Sequence, residues 1–466
     1  MSPDPHEEEI SLKFHGGYLG VLLPFFFFLM GAVIIALSGA PDERGLWPVL
    51  IGAMGLGLVL AKDRNAYSEV LLQGMSQKIV MIMITAWMLA SCIGVLMTKT
   101  GLVEALIWLS LQLNLGPAGF LLATFLICCV ISMSTGSSFA TILICSPLLY
   151  PSGGMMGVEL PLLAGAILSG ATFGDFSAPI SDTTIASALS QQANIGRAVR
   201  SRLKYSVPVL LVSGIVFVLL QMGSSSASVA NPELLSGEAR GLPMLGVPVL
   251  IIFLFLRGKH LVVGLMAGLF AGILIGLAFG LLPWGEVIAL DLDNFRATSF
   301  IIDGITRAVG ISFFTILLMG LVQTIKASGI LASLVAYASA RVKSSRAAKG
   351  WITGVTSLAV LLTTHSIVAI LMVGEFVSQT GSKSHISEVQ RANLMSLAVC
   401  FFPFVLPYFI PVILMANMTQ TGTEYGLAQQ SPLAIGMYNI VAWGLLIYML
   451  FILFRREQTK TTLEKP

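Results

Sequence analysis

Long apolar stretches follow one another along the chain, separated by short polar connections. Residues 19–37, 79–97 and 261–282 each supply the run of about 20 mostly apolar residues that a membrane-spanning helix needs. Such spans recur throughout, and no long polar segment leaves room for an appended soluble domain. The pattern predicts an all-α polytopic membrane protein with about 12–14 transmembrane or re-entrant helices. The first stretch follows His6-Glu7-Glu8-Glu9, whereas a secretory signal opens on cations and has a shorter apolar core, so it reads as a retained helix.

The pattern also repeats. An offset of 228 residues places Gly101 on Gly329, Thr135 on Thr363, Ser138 on Ser366, Ile142 and Leu143 on Ile370 and Leu371, Phe173 on Phe401, and Pro179 on Pro407. Over residues 135–185 this register gives ten identities in 51 positions without a gap. The chain therefore divides into residues 1–228 and 229–466, two repeats of one membrane domain. Cytoplasmic loops are enriched in Lys and Arg, so charge tests whether the second repeat is upside down. Arg197, Arg200, Arg202 and Lys204 correspond to the cation-free 425–432; Arg341, Lys343, Arg346 and Lys349 correspond to the bare 113–121; Lys383 and Arg391 oppose 155 and 163. The alternation predicts two inverted-topology repeats with broken helices at the midplane. It puts the amino terminus, 62–64, 197–204, 257–260, 341–349 and the tail after Arg455 in the cytoplasm, with 223–241 and 283–299 outside. Whether 116–150 crosses twice or forms a re-entrant hairpin stays open.

Composition narrows the class further. Only 11% of the residues are charged against about 25% in soluble domains, and 56% are hydrophobic. The net charge of +3 sits in short loops and excludes a nucleic-acid partner. Cys92, Cys128, Cys129, Cys145 and Cys400 all lie in apolar stretches without metal-site spacing and read as packing residues. Gly264, Gly268, Gly272, Gly276 and Gly280 put a small-residue stripe on one helix face, and Phe25 to Phe28 form an apolar patch; both read as packing. Lys99 and Lys326 read as interfacial anchors.

Chemistry is confined to the polar interruptions. The segment Gly170 to Thr184 breaks an apolar span: Pro179 and the glycines disfavour a continuous helix, and the freed carbonyls and amides must line a cavity or protein interior. Asp175 and Asp182 are its carboxylates, and burying either costs several kcal/mol, about 2.5–3.5 on insertion scales, unless a cation, proton or polar partner compensates. Ser177, Ser181, Thr183, Thr184 and freed carbonyls offer the oxygens that a hard cation wants beside Asp182, read as the sodium ligand. The bland alternative is that Asp182 caps the helix that follows. A second polar island, Ser132 to Ser138, with Thr135, Gly136, Ser137 and Ser138 at its end, forms a hairpin tip or a tight turn whose hydroxyls could complete the site. The offset lands it on Thr363, Thr364, His365 and Ser366; His365 is a proton shuttle or a hydrogen-bonded structural residue. Pro403, Pro407 and Pro411 keep the break in the second half without its acids, which predicts one dominant cation site. Asn393 and Asn417 flank it as weaker substrate contacts.

The string Phe-Gly-Asp-x-x-x-Pro-Ile-Ser-Asp-Thr-Thr at 173–184 resembles the signature of the NhaC-type sodium/proton antiporters, and Thr135-Gly136-Ser137-Ser138 is similar to that family's upstream motif. The resemblance implies scaffold helices holding a moving domain of re-entrant and broken helices, often in dimers, with Asp175, Ser177, Pro179, Ser181, Asp182, Thr183 and Thr184 in the motif's functional positions. Two departures stand out: Phe176 and Ala178 replace a basic residue and a serine, and Arg391-Ala392-Asn393-Leu394 with an apolar run replaces the polar cluster of the second half. Members also include carboxylate and amino-acid carriers.

These readings converge on a multi-pass inner-membrane secondary transporter, both termini cytoplasmic, that needs no cofactor and couples to sodium, protons or both. Sodium/proton antiport by alternating access leads; coupled movement of a small amino acid or carboxylate is the alternative. An enzyme is disfavoured, because the chain shows no His-rich metal site, no nucleophile with its base and no phosphate-binding loop.

Overall fold

The computed structural model describes residues 11–38, 43–224, 238–291, 296–339 and 344–454. Residues 6–9, 225–237, 341–343 and the tail from 455, which carried part of the topology argument, lie outside the described residues. Among the described residues the structure is overwhelmingly helical, with one short strand pair, Ala289–Asp291 antiparallel to Arg296–Thr298, and an isolated bridge between Phe14 and Ala61.

Among the described residues, seven helices are long and apolar enough to cross a membrane. Large apolar side chains lie exposed along the outside, such as Phe270 and Leu274, as lipid-facing surfaces require. The phenylalanine run splits by helical phase: Phe25 and Phe28 are buried while Phe26 and Phe27 face out. The glycine stripe packs as expected from Gly264 to Gly276, with Gly268 against Ile251 and Gly272 against Leu96; Gly280 lies beyond the helix end. All five cysteines are buried. Lys99 is no simple anchor, because its Nζ pairs with Glu286 at 2.6 Å.

The helices nearest the polar segments share boundaries at the sequence offset. Pro117–Thr135 and Ser138–Met155 form a first hairpin, and Ser345–Thr363 with Ser366–Lys383 form a second, each boundary displaced by 228 residues. Asp182–Ser190, after the first break, matches Ile410–Met418 after the second in the same way. Local chemistry sets these ends. Gly136, at φ +66°, ends the first hairpin helix in the left-handed conformation that glycine adopts freely, and Ser137 caps the next by accepting from the Ala140 amide at 3.2 Å. Thr364 takes the same left-handed turn at φ +51° although it is β-branched, a strained choice that the surroundings must hold in place. Leu160–Ser177 stops because Ala178 precedes Pro179 and is driven to an extended ψ of 134°.

The packing is reciprocal. Asp182–Ser190 lies against the second hairpin and Glu388–Val399, while Ile410–Met418 lies against the first hairpin and Leu160–Ser177. Lys78–Lys99 and Phe300–Ala327 run along each other, with Gly304 on the Cys92 backbone.

The first hairpin is seated on the aspartate helix through close backbone approach. A Cβ on Gly174 would stand 2.2 Å from Ser132 Cβ and 2.4 Å from its carbonyl carbon, and Ser132 Oγ donates to the Ala171 carbonyl at 2.8 Å. Gly174→Ala is therefore expected to cost about 1–3 kcal/mol, the usual penalty of overpacking, because backbone rather than a flexible side-chain end must yield. Thermal unfolding of the detergent-solubilised variant checks this; an unchanged midpoint would contradict the close packing.

Candidate functional site

Both hairpin tips and both helix breaks meet at one cavity of about 80 Å³. From the first half it takes Gly136, Ser137, Ser138, Phe139, Asp175, Asp182 and Thr183. From the second it takes Thr364, His365, Ser366, Ile367, Pro403, Ile410 and Pro411, the residue 228 positions on in every case. Met83 and Phe404 complete the lining.

Asp175 is the centre of the polar wall. It is only 8% exposed, on the last turns of Leu160–Ser177. Its Oδ1 accepts from Ser181 Oγ at 2.7 Å and Thr183 Oγ1 at 3.4 Å, and its Oδ2 accepts from Ser138 Oγ at 3.4 Å. Thr183 Oγ1 also approaches the Asp175 carbonyl at 3.1 Å and Ser181 Oγ at 2.9 Å. The break makes this possible: the turn through Ala178 to Ile180 folds the start of the next helix back over the end of the first, so residues six and eight positions on reach the carboxylate. Gly136 lets the hairpin tip close in, for a Cβ there would stand 2.8 Å from the Ile180 carbonyl. Among the described residues no lysine or arginine forms an ion pair with either aspartate.

Asp182 is placed differently from the sequence reading. It is the first residue of its helix, lines the cavity from an exposed position, and does not cap, since Ser181 occupies the cap position without a side-chain cap bond. The hydroxyls expected beside it converge on Asp175 instead, one carboxylate further in. The physical reason is direction: Ser181 and Thr183 flank Asp182 in sequence, and at the head of a helix neighbours diverge.

The other expected residues divide. Thr135 holds the hairpin turn, its Oγ1 bonded to the Ile131 carbonyl at 2.9 Å and accepting from the Ser137 amide at 3.3 Å. Ser366 Oγ donates to the Val399 carbonyl at 3.0 Å, and the buried Nδ1 of His365 has no hydrogen-bond partner among the described residues. Pro179 is exposed at the break, and Pro407 lies in the second break, both outside the cavity lining. Ser177 turns away to Ser206 at 3.0 Å. Asn417 is also outside the lining and donates to the Arg307 carbonyl at 3.3 Å. Thr184 and Asn393 lie behind the break, on a residue whose role was not foreseen.

That residue is Arg202, read from sequence as one of four loop cations. It is fully buried within Ile195–Gly223. Its Nε donates to Asn393 Oδ1 at 2.7 Å, Nη1 to Thr184 Oγ1 at 2.8 Å and the Phe176 carbonyl at 3.2 Å, and Nη2 to Ser187 Oγ at 3.0 Å. Its guanidinium also lies 5.4 Å from the Phe176 ring centroid. The signal in the sequence was periodicity: Arg202, Tyr205 and Ser206 occupy one helix face at i, i+3 and i+4, and all three are buried. Arg391, another cation of the charge comparison, is buried too and donates to Gln191 Oε1 at 3.1 Å. Asn439 was missed likewise; its Nδ2 ties Thr172 and the Phe404 carbonyl together, at 2.9 Å each.

Comparison with known proteins agrees with the motif. Residues 44–224 match the model of the Na+/H+ antiporter family, which bears out over that stretch the resemblance read at 173–184. The chain is 31% identical over 205 residues to the "Malate-2H(+)/Na(+)-lactate antiporter" of Bacillus subtilis, covering 44% of this chain and 41% of that protein. It is 25% identical over 239 residues to the "Na(+)/H(+) antiporter NhaC" of Alkalihalophilus pseudofirmus, covering 49% of each. The matches thus span less than half the length of either relative. A solved structure of Neisseria gonorrhoeae MtrF, described as illuminating a class of antimetabolite efflux pumps, aligns over 93% of this chain and 94% of that one. Its TM-score of 0.34 at 14% identity is too low to carry an argument.

Proposed function

We propose that this chain, a multi-pass membrane protein whose residues 44–224 match the Na+/H+ antiporter family, is a secondary transporter exchanging sodium for protons at Asp175. The observation that carries this reading is a buried carboxylate surrounded by hydroxyls and free of ion pairs among the described residues. Without a cation such a group is costly within a membrane protein, so it holds either a proton or a small hard cation, and competition between the two is exchange. Ser138, Ser181 and Thr183 can present oxygen lone pairs to sodium, and the same hydroxyls donate to the ionised carboxylate when it is bare. Asp182, at the exposed side of the cavity, attracts the cation and hands it inward.

Alternating access by two inverted repeats, residues 1–228 and 229–466, fits the shared helix boundaries and the reciprocal packing of the broken helices on the opposite hairpins. Inner-membrane placement, cytoplasmic termini and a homodimer belong to the same reading. A second reading, carriage of a small organic solute, is favoured by room: about 80 Å³ is several times the roughly 10–15 Å³ that one water requires.

Proteoliposomes holding the purified protein test the exchange: an imposed sodium gradient, with no organic solute, is expected to move internal pH. No pH response would overturn the proposal. Asp182→Asn is expected to raise the half-saturating sodium concentration about three- to fivefold while leaving exchange intact, since an exposed charge contributes up to about 1 kcal/mol.

A further inference from the structure

The cavity has two unlike walls. Positions related by the 228-residue offset carry Asp175 against Pro403, Asp182 against Ile410, and Thr183 against Pro411. The first half therefore offers carboxylates and hydroxyls, while the second half, besides the polar Thr364, His365 and Ser366 of its tip, offers the hydrocarbon of Pro403, Ile410, Pro411 and the buried Phe404. A bare sodium ion seeks oxygen ligands on every side, and it gains nothing from proline and isoleucine. Nor does it need the space. No lysine or arginine lines the cavity, so a solute carboxylate would meet two acids and no cationic side chain within the lining. What does match is an ion with one cationic, hydrogen-bonding end and one apolar end.

We infer that the site also takes a small primary alkylammonium ion, its ammonium on Asp175 and its alkyl chain on the Pro403, Phe404 and Ile410 wall. An ammonium has three donors and no acceptor. Asp175 and the neighbouring hydroxyls accept two, and His365 Nδ1, buried without a partner among the described residues, accepts the third in its Nε2–H tautomer. The inference rests on reading the cavity as a cation site, and it adds that the second half of the chain has lost its acids to make an apolar subsite.

The test is counterflow of ²²Na+ in proteoliposomes, with pH buffered equally inside and out and each amine at equal concentration on both sides, so that free-base permeation creates no pH gradient. Methyl-, ethyl-, propyl- and butylammonium are expected to inhibit with rising potency, by about fourfold for each methylene buried. Ile410→Ala is expected to reduce the butyl-to-methyl potency ratio. Equal potency across the series, or inhibition by malate or lactate but not by the amines, overturns the inference while leaving the sodium site standing. If no ²²Na+ counterflow occurs at all, the sodium reading fails instead. Equilibrium dialysis of [¹⁴C]butylammonium against the purified protein then decides: saturable binding lost in Asp175→Asn supports the ammonium site, and no binding overturns it.

Discussion

Asp175→Asn is expected to reduce sodium-driven proton movement by about a thousandfold, the scale set by losing one charge about 4 Å from a bound cation at an effective dielectric near 20, roughly 4 kcal/mol. The substitution is nearly isosteric, and its amide oxygen still accepts from Ser181 Oγ, which lies 2.7 Å from the native carboxylate. Folding should therefore survive. The amide neither titrates nor neutralises sodium, so both halves of the exchange are lost together. The check pairs the gradient assay with ²²Na+ binding on a variant shown to be monodisperse in detergent. Retained exchange in such a sample would show that Asp175 is a structural hydrogen-bond acceptor and that the cation sits elsewhere.

Arg202→Ala should instead act on stability. The guanidinium joins the end of the aspartate helix at the Phe176 carbonyl, the next helix at Thr184 and Ser187, and the second half of the chain at Asn393. Hydrogen bonds to a charged group contribute about 1.5–3 kcal/mol each, and truncation leaves several buried acceptors unsatisfied, so a loss of about 3–5 kcal/mol is expected. Arg202→Lys should recover only a small part, because an ammonium cannot span three directions in one plane. Thermal unfolding in detergent measures both. If the lysine variant matched the native midpoint, the fork geometry would be irrelevant and only the charge would count. The position of Arg202 also bears on the departure from the antiporter motif at Phe176. The basic residue missing after the first aspartate is matched in space by an arginine from a different helix, stacked over the phenylalanine that replaced it.

Much of the site could be read from single residues because each carried its own physical penalty. A carboxylate in an apolar span demands compensation, and a proline after a glycine-rich helix demands a break, so Asp175 and the interruption at Pro179 were evident without coordinates. The polar island at Ser132 to Ser138 was evident for the same reason, as a hairpin tip or a tight turn, and the offset carried its end to Thr363, Thr364, His365 and Ser366. Proximity in sequence did not say where the hydroxyls bond. Asp182 attracted the sodium role because Ser181, Thr183 and Thr184 surround it in the chain, yet Thr184 serves Arg202 and the other two serve Asp175. Arg202 and Arg391 were counted as loop charges because charge enrichment near helix ends reports topology on average, and averages do not distinguish a solvated cation from a buried one.

Composition and penalties that act residue by residue already set the solvent of this protein, its helical character and the two interruptions where polar groups must be satisfied, whereas seven helices long and apolar enough to span a membrane stand among the described residues against the about 12–14 spanning or re-entrant helices expected. Which polar groups meet was settled by the folding of distant segments onto one another. It brought the two tips and two breaks to one cavity, turned hydroxyls onto Asp175, buried Arg202 behind them, and put Pro403, Ile410 and Pro411 in the same lining as the acids. Those outcomes depend on how helices far apart in the chain dock against one another, and docking is fixed by close contacts, such as Gly174 on Ser132, that a one-dimensional pattern does not contain.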